Sequence, residues 1–303
     1  MTLRGHINGA LRKTTGYQIV RAGTEPPPRR PPAPPRQKEE RSKPKKAAPN
    51  SEPKKRPASK NDPNHPQDYD ADTRATLELI RGRTMNHHTK TQSLIEAVRY
   101  VTRHDIPGAV VECGVWRGGS MLAVANTLLQ LGVTDRDLYL FDTYTGMTPP
   151  TERDIRINEG KHATELLNAD DPEDPGAPMQ WSRPENYVAT LDDVQEGFAS
   201  VAYPPERVHL VRGAVEETVP ASAPGVISVL RLDTDWYAST RHELIHLYPL
   251  LSPGGVLILD DYGTWQGSRE ATDEFLAESG EPLLLTRVNR SRITVKPGLR
   301  SVV

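Results

Sequence analysis

Two acidic pairs stand where apolar runs of the chain end, and carboxylates in such positions can do chemistry. Asp233 and Asp235 follow one apolar run, and Asp260 and Asp261 follow the next. In an open parallel sheet the carboxyl ends of strands face the ligand crevice, so these four side chains would meet there. A hard divalent cation such as Mg²⁺, which prefers oxygen ligands, would relieve their mutual repulsion. The alternative is a set of solvated loop carboxylates and helix N-caps.

A glycine-rich turn, ECGVWRGGS at residues 112–120, follows the first apolar strand of the body. It has neither the GxGxxG spacing of dinucleotide sites nor the GK[ST] of a phosphate-binding loop. Glu112, two positions before the first glycine, favours a cationic ligand. Asp142, at the end of the second predicted strand, is placed to bind ribose hydroxyls. With the acidic pairs downstream, this combination predicts a site for S-adenosylmethionine.

Strand-like and helix-like patterns alternate from about residue 72 onward. Alternation of this kind predicts a doubly wound α/β sheet that is mostly parallel, with a final hairpin that forms an antiparallel edge. The predicted strands cover 109–113, 137–141, 208–213, 226–232, 255–259, 283–288 and 292–296, and the predicted helices cover 76–80, 91–102, 120–131, 186–201, 239–251 and 270–279.

Composition divides the chain into three parts. Residues 1–21 are a short segment that could be helical, and residues 22–70 are a tract rich in Pro, Lys and Arg that we expect to be a disordered linker. The body, 71–303, contains a Pro-, Asp- and Asn-rich insertion at about 143–185, which we interpret as a lid over the substrate.

Charge and cysteine content narrow the class of protein. Residues 1–60 hold 16 Lys and Arg against 4 acidic residues, whereas the remaining 243 hold 22 against 36, a net charge of −14. The basic arm could bind nucleic acid, but it lacks interleaved aromatic residues, so a solvated linker is favoured. The sole cysteine, Cys113, excludes an internal disulfide. With no signal-peptide pattern and no apolar stretch of about 20 residues, we expect a cytoplasmic protein and no membrane partner.

Several blocks of sequence resemble the macrocin-type O-methyltransferases, which methylate sugar hydroxyls of macrolide and aminocoumarin antibiotics. The resemblance covers roughly residues 72–297. It is carried by the blocks TM at 84–85, IPG at 106–108, VECGVWRGGS at 111–120, FDTYTGM at 141–147, LDTDWY at 232–237, YPLLSPGG at 248–255 and DDY at 260–262.

The resemblance implies a class I methyltransferase fold, bound S-adenosylmethionine and Mg²⁺, a homodimer and a sugar-containing small-molecule substrate. It assigns Asp233, Asp260 and Asp261 to the metal and Asp235 to the general base. The residues expected to contact the cofactor are Thr84, Met85, Glu112, Cys113, Gly114, Val115, Trp116, Ser120, Asp142, Thr143, Tyr144, Gly146, Val215, Glu216 and Asp233.

Other functions remain open at this stage. A phenolic acceptor would use the same metal chemistry, a nucleic-acid-directed protein would use the basic arm, and a non-catalytic cofactor-binding scaffold is a third class. The segment from His242 to His246 also matches the HExxH pattern of zinc proteases, with Glu270 as a conceivable third ligand. That pattern has only three specified letters, and its helix is expected to pack between core strands, so we favour the methyltransferase.

Overall fold

The computed structural model describes residues 18–20, 66–167 and 188–298. Most of the predicted linker at 22–70, residues 168–185 of the predicted lid, and the last five residues lie outside these ranges. The described strands are β1 (Gln18–Val20), β2 (Ala109–Cys113), β3 (Leu138–Asp142), β4 (Val208–Arg212), β5 (Ile227–Leu232), β6 (Leu251–Leu259), β7 (Thr286–Val288) and β8 (Ser291–Val295).

Eight helices connect or flank these strands in the described ranges. They are α1 (Ala71–Leu79), α2 (His88–Arg103), α3 (Gly119–Gln130), α4 (Ala163–Leu167), α5 (Leu191–Ala199), α6 (Val215–Thr218), α7 (Tyr237–Leu247) and α8 (Gln266–Ser279). None of them is both long and apolar enough to cross a bilayer.

The described strands form a single sheet in the order β1-β4-β3-β2-β5-β6-β8-β7. The pairings are parallel from β1 to β6, whereas β8 is antiparallel to both β6 and β7. This confirms the predicted doubly wound sheet with an antiparallel edge. The chain moves outward from β2 to β4 and then returns to place β5 on the other side of β2. That reversal opens a crevice at the carboxyl ends of β2 and β5.

Two apolar layers cover the sheet. One face packs against α1, α2, α3 and α5, through a cluster that includes Leu94, Met121 and Phe198. The other face packs against α6, α7 and α8, through a cluster that includes Leu244 and Phe275. Because both faces of the sheet are covered, β2 and β5 are buried at every position, including the charged residues Glu112 and Arg231.

The amino-terminal segment differs from the expectation of a helix where it can be described. Gln18–Val20 is a strand that pairs in parallel with β4, with Ile19 opposite Leu210. Without it β4 would be an open edge, whose unpaired backbone groups accept another strand. Two β-branched residues in this segment favour that outcome over a helix.

Candidate active site

The carboxyl ends of β2, β3, β5 and β6 open into a cavity of about 450 Å³. Most of the residues that the sequence analysis selected line this cavity. They are Thr84, Met85, Glu112, Gly114, Val115, Trp116, Ser120, Asp142, Thr143, Gly146, Val215, Glu216, Asp233, Asp235, Asp260 and Asp261.

Backbone geometry shapes the cavity at the end of β2. Gly114 has φ of +81°, and a Cβ at this position would lie 2.0 Å from the carbonyl oxygen of Asp233. At Gly119, the first residue of α3, a Cβ would lie 2.3 Å from the carbonyl oxygen of Arg83. Only glycine tolerates such close approach of two backbones. The turn is therefore narrow and presents peptide groups to a ligand.

Asp142 anchors this turn. Its Oδ2 accepts hydrogen bonds from the backbone N–H of Val115 at 2.8 Å and of Trp116 at 3.0 Å, and its Oδ1 accepts from Tyr144 N–H at 2.7 Å. Burial raises the pKa of the Asp142 carboxyl, although these hydrogen bonds oppose the change. A carboxylate has about four acceptor sites, so three backbone donors leave room for one ligand hydroxyl.

Cys113 and Tyr144, which were expected to contact the cofactor, are not among the residues that line the cavity. Neighbouring residues of a strand face opposite sides; Glu112 faces the cavity, so the Cys113 side chain lies in the core beneath α7. The Tyr144 side chain is buried in the other core cluster, where its hydroxyl donates to the Leu140 carbonyl at 3.1 Å.

The second half of the cavity is built from acids. Asp233, Asp260 and Asp261, hereafter the aspartate triad, each offer a carboxylate oxygen, and these atoms lie within 4.8 Å of one another. Adjacent residues of a regular strand would point apart, but β6 ends at Leu259. Asp260 and Asp261 are therefore free to converge.

Arg231, which the sequence analysis did not select, neutralises part of this charge. Its guanidinium donates to Asp233 Oδ2 at 2.7 Å and to Asp260 Oδ1 at 2.6 Å, and it also pairs with Glu112. Lys90, at the start of α2, pairs with the other oxygen of Asp260. The sequence feature that could have identified Arg231 is its position within an otherwise apolar strand, because a buried charge requires partners.

Two cations do not balance the acids that surround them. Burial and the neighbouring carboxylates raise the pKa of Asp233 and of Asp261 well above the usual range. Although burial opposes it, the charges of Arg231 and Lys90 hold the pKa of Asp260 well below that range. Closely spaced carboxylate oxygens with surplus negative charge are a donor set that fits a hard divalent cation.

Asp235 lies beside the triad in a constrained backbone conformation, with φ of +66°. Its backbone N–H donates to Asp261 Oδ2 at 3.1 Å, and its own Oδ1 accepts from Trp265 Nε1 at 2.6 Å. Burial raises the pKa of the Asp235 carboxyl to about 7. This carboxyl is thus oriented by an indole and is poised to take up a proton near neutral pH.

The sequence profile of the macrocin-O-methyltransferase (TylF) family matches residues 34–293. The chain belongs to this family. It is accordingly an S-adenosylmethionine-dependent O-methyltransferase with the class I fold.

Named relatives agree with this assignment. The chain is 28% identical over 210 residues to mycinamicin III 3''-O-methyltransferase of Micromonospora griseorubida, covering 69% of this chain and 76% of the relative. It is 28% identical over 226 residues to demethyldecarbamoylnovobiocin O-methyltransferase of Streptomyces niveus, covering 72% and 80%. The solved structure of the O-methyltransferase NovP superposes with a TM-score of 0.61 at 25% identity, covering 71% of this chain and 83% of that one.

The HExxH segment of this methyltransferase is structural. Glu243 is fully buried on α7 and accepts a hydrogen bond from Thr234 Oγ1 at 3.0 Å. His242 Nε2 donates to the Val219 carbonyl at 2.9 Å. Among the described residues, the clustered metal-ligand atoms belong to the aspartate triad instead.

Part of the predicted lid borders the acid half of the cavity. Ile157 N–H donates to the Thr264 carbonyl at 3.0 Å, and Tyr237 N–H donates to Asp154 Oδ1 at 2.8 Å. Arg156 from this segment lines the cavity and is nearly buried. Sequence reasoning assigned the segment to the substrate side but selected none of these side chains.

Proposed function

We propose that this methyltransferase transfers the methyl group of S-adenosylmethionine to a hydroxyl of a sugar, either on a natural product or in a nucleotide-linked form. The observation that carries the proposal is the meeting of the aspartate triad and Asp235 in one cavity with the glycine turn. The name of one relative supports a sugar acceptor: a 29% identical Streptomyces olivaceus enzyme is a 4'-O-methyltransferase of a rhamnosyl-tetracenomycin.

One half of the cavity is the proposed site of the cofactor, and the other half is the proposed site of the metal and the substrate hydroxyl. Glu112 and the peptide groups of the glycine turn suit the charged amino acid end of the cofactor, and Asp142 suits its ribose hydroxyls. Thr84 and Met85 close over the methionine end, while Val215 and Glu216 flank the adenine. The aspartate triad is the proposed holder of Mg²⁺, which would supply Lewis acidity to a substrate hydroxyl when bound.

Asp235 is the proposed general base. Methyl transfer breaks a carbon–sulfur bond, forms a carbon–oxygen bond and releases the hydroxyl proton, which needs an acceptor of suitable pKa. The Asp235 carboxyl, with a pKa raised to about 7, provides that acceptor near neutral pH. Trp265 holds one of its oxygens at 2.6 Å and so directs the other.

The decisive experiment supplies the purified chain with S-adenosylmethionine, Mg²⁺ and a panel of acceptors, and detects an added methyl group by mass spectrometry. The panel contains deoxysugar glycosides, nucleotide-linked sugars and a catechol. Methylation of a sugar hydroxyl is the expected result. Exclusive methylation of the catechol would contradict the sugar proposal, and undiminished turnover in EDTA would contradict the metal.

Asp235→Asn tests the base in the same assay. Asparagine keeps an oxygen that can accept from Trp265 but takes up no proton, so turnover should fall by about 10²–10⁴-fold. Binding of S-adenosylhomocysteine, measured by calorimetry, should persist. Asp192→Asn, on the exposed first turn of α5, is the matched control and should retain activity. Wild-type turnover in Asp235→Asn would refute the assignment.

The resemblance also implies a homodimer, and light scattering of the purified chain would test it.

A further inference from the structure

Four arginines surround the β7–β8 turn without an acidic partner. Arg269, Arg287, Arg290 and Arg292, hereafter the arginine rim, form no salt bridge with any carboxylate in the part of the chain that the structure describes. Three of them donate to backbone carbonyls: Arg269 to Tyr262, Arg287 to Asn289 and Arg292 to Ser291. Because residues 61–303 carry a net charge of −14, such a group of cations without salt bridges is unusual.

The rim is held together at a cost in like-charge repulsion. Arg287 and Arg292 are direct partners across the antiparallel β7–β8 pair. Residues so placed have Cβ atoms about 4.5–5.5 Å apart, and equal charges there destabilise the pair. The Arg292 and Arg269 guanidinium carbons lie 4.7 Å and 5.4 Å from the centre of the Tyr262 ring. An anion bound among these groups would relieve the repulsion.

One member of the rim, Arg290, reaches the active cavity. Arg290 and its neighbour Asn289 line the cavity on the side of the aspartate triad. The turn is attached to that side, since Gly263 N–H donates to the Arg290 carbonyl at 2.8 Å and Ser291 Oγ donates to the Asp260 carbonyl at 2.9 Å. An acceptor whose hydroxyl lies at the triad would therefore have Arg290 in the same cavity.

We infer that the arginine rim binds an anionic oxygen group of the acceptor, a phosphate or a carboxylate. The inference rests on the proposed function, because it describes the remainder of the sugar-containing molecule whose hydroxyl enters the cavity. Guanidinium groups match the planar oxygen pairs of both anions and bind them in bidentate fashion. The acceptor class is then a phosphate-linked sugar, such as a nucleoside diphosphate sugar, or a sugar acid.

Isothermal titration calorimetry of the full chain, saturated with S-adenosylhomocysteine and Mg²⁺, tests this inference with two probes. Thymidine diphosphate reports on phosphate, and methyl glucuronide reports on carboxylate. We expect at least one probe to bind, with an affinity that falls as NaCl is raised. We expect Arg290→Met to weaken that binding at least tenfold. Absence of binding by both probes, or equal affinity in Arg290→Met, would overturn the inference.

Two further variants make the result specific. Arg103→Met, at the exposed far end of α2 and roughly 20 Å along the helix from Lys90, should bind the probe as the wild type does. Arg287→Met should weaken probe binding while its Tm equals or exceeds that of the wild type, because the cross-strand repulsion is gone. A lower Tm with unchanged probe affinity would show that Arg287 serves the hairpin alone and would count against the rim.

The outcome is separable from that of the proposed function. Anion binding that depends on Arg290, in an enzyme that methylates no sugar, would leave the rim standing and remove the sugar acceptor. If the wild type methylates neutral glycosides but binds neither probe, the sugar acceptor is supported and the anion site at the arginine rim is refuted.

Discussion

At the ends of β2 and β3 the cavity is shaped by peptide groups, whereas at the ends of β5 and β6 it is shaped by acidic and basic side chains. In the first half Asp142 accepts hydrogen bonds from three backbone donors that hold the glycine turn. In the second half Arg231 and Lys90 leave a surplus of carboxylates. The first half depends on conformations that only glycine adopts, and the second depends on the balance of buried charge. Mutations in the two halves should therefore act through different physical causes.

The largest effect is expected from Arg231→Met, which removes the central cation of the acid half. Glu112, Asp233 and Asp260 would lose their buried counter-ion, and breaking such a network typically costs about 3–5 kcal/mol. Urea denaturation should show this loss of stability. Arg212→Met, at the exposed end of β4, is the control and should change little.

The same comparison can be repeated with Mg²⁺. Saturating metal should reduce the stability difference between wild type and Arg231→Met. The variant has more unpaired carboxylates and should bind Mg²⁺ more tightly, and tighter binding to the folded state stabilises it more. If Arg231→Met proved as stable as the wild type, charge balance would not be what holds the acid half together.

Gly114→Ala should break the cofactor half. Its Cβ would meet the Asp233 carbonyl oxygen at 2.0 Å, in a backbone with φ of +81°. We expect a cost of about 1–3 kcal/mol from the strained conformation alone, and a large loss of S-adenosylhomocysteine affinity because the turn must move. Calorimetry measures the affinity, and thermal unfolding measures the stability.

Gly132→Ala is a control that introduces similar backbone strain without a steric clash of the added Cβ. Gly132 has a similar φ of +71°, but a Cβ there meets no atom within 4 Å. It should therefore reproduce the conformational cost without the loss of affinity. Equal cofactor binding by Gly114→Ala and Gly132→Ala would mean that the close approach of the two backbones is unimportant for the cofactor.

The alternation of elements made the fold readable from the sequence. The order of strands in the body, the hairpin and the antiparallel edge follow the prediction. The short helices α4 and α6 were not predicted. Boundaries were less accurate: α8 begins at Gln266 rather than 270, after Trp265, which provides no side-chain cap. β6 begins at Leu251 rather than 255, through a proline and a glycine that usually end strands.

The site was predictable where residue type and position agree. Carboxylates at strand ends identified the aspartate triad. An arginine in an apolar strand signals a buried ion pair, but the partners of Arg231 come from three segments of the chain and could not be named from the sequence. Strand alternation would have placed Cys113 opposite Glu112. The position of Arg290 at the cavity could not be predicted from the sequence either, because it follows from the pairing of β6 with β8.

The smallest effect is expected outside both halves, at the start of α1. Asp70 caps this helix, accepting from Thr73 N–H at 2.7 Å, and it pairs with Arg99 at 2.8 Å. Loss of such a cap in Asp70→Ala typically costs about 1 kcal/mol, which corresponds to a fall in Tm of about 2–4 °C for a domain of this size. Cofactor affinity should be unchanged.

The effect of Asp70→Ala should depend on pH in a defined direction. Burial opposes ionisation of Asp70, but the hydrogen bonds from Arg99 and Thr73 prevail and lower its pKa to about 2. The unfolded chain has an aspartate pKa of about 3.9, so the stabilisation is complete above that pH and is lost as the pH falls towards 2. The Tm difference between wild type and variant should therefore shrink in acid. A constant difference down to that pH would show that the uncharged side chain packs the helix start, and that ionisation contributes nothing there.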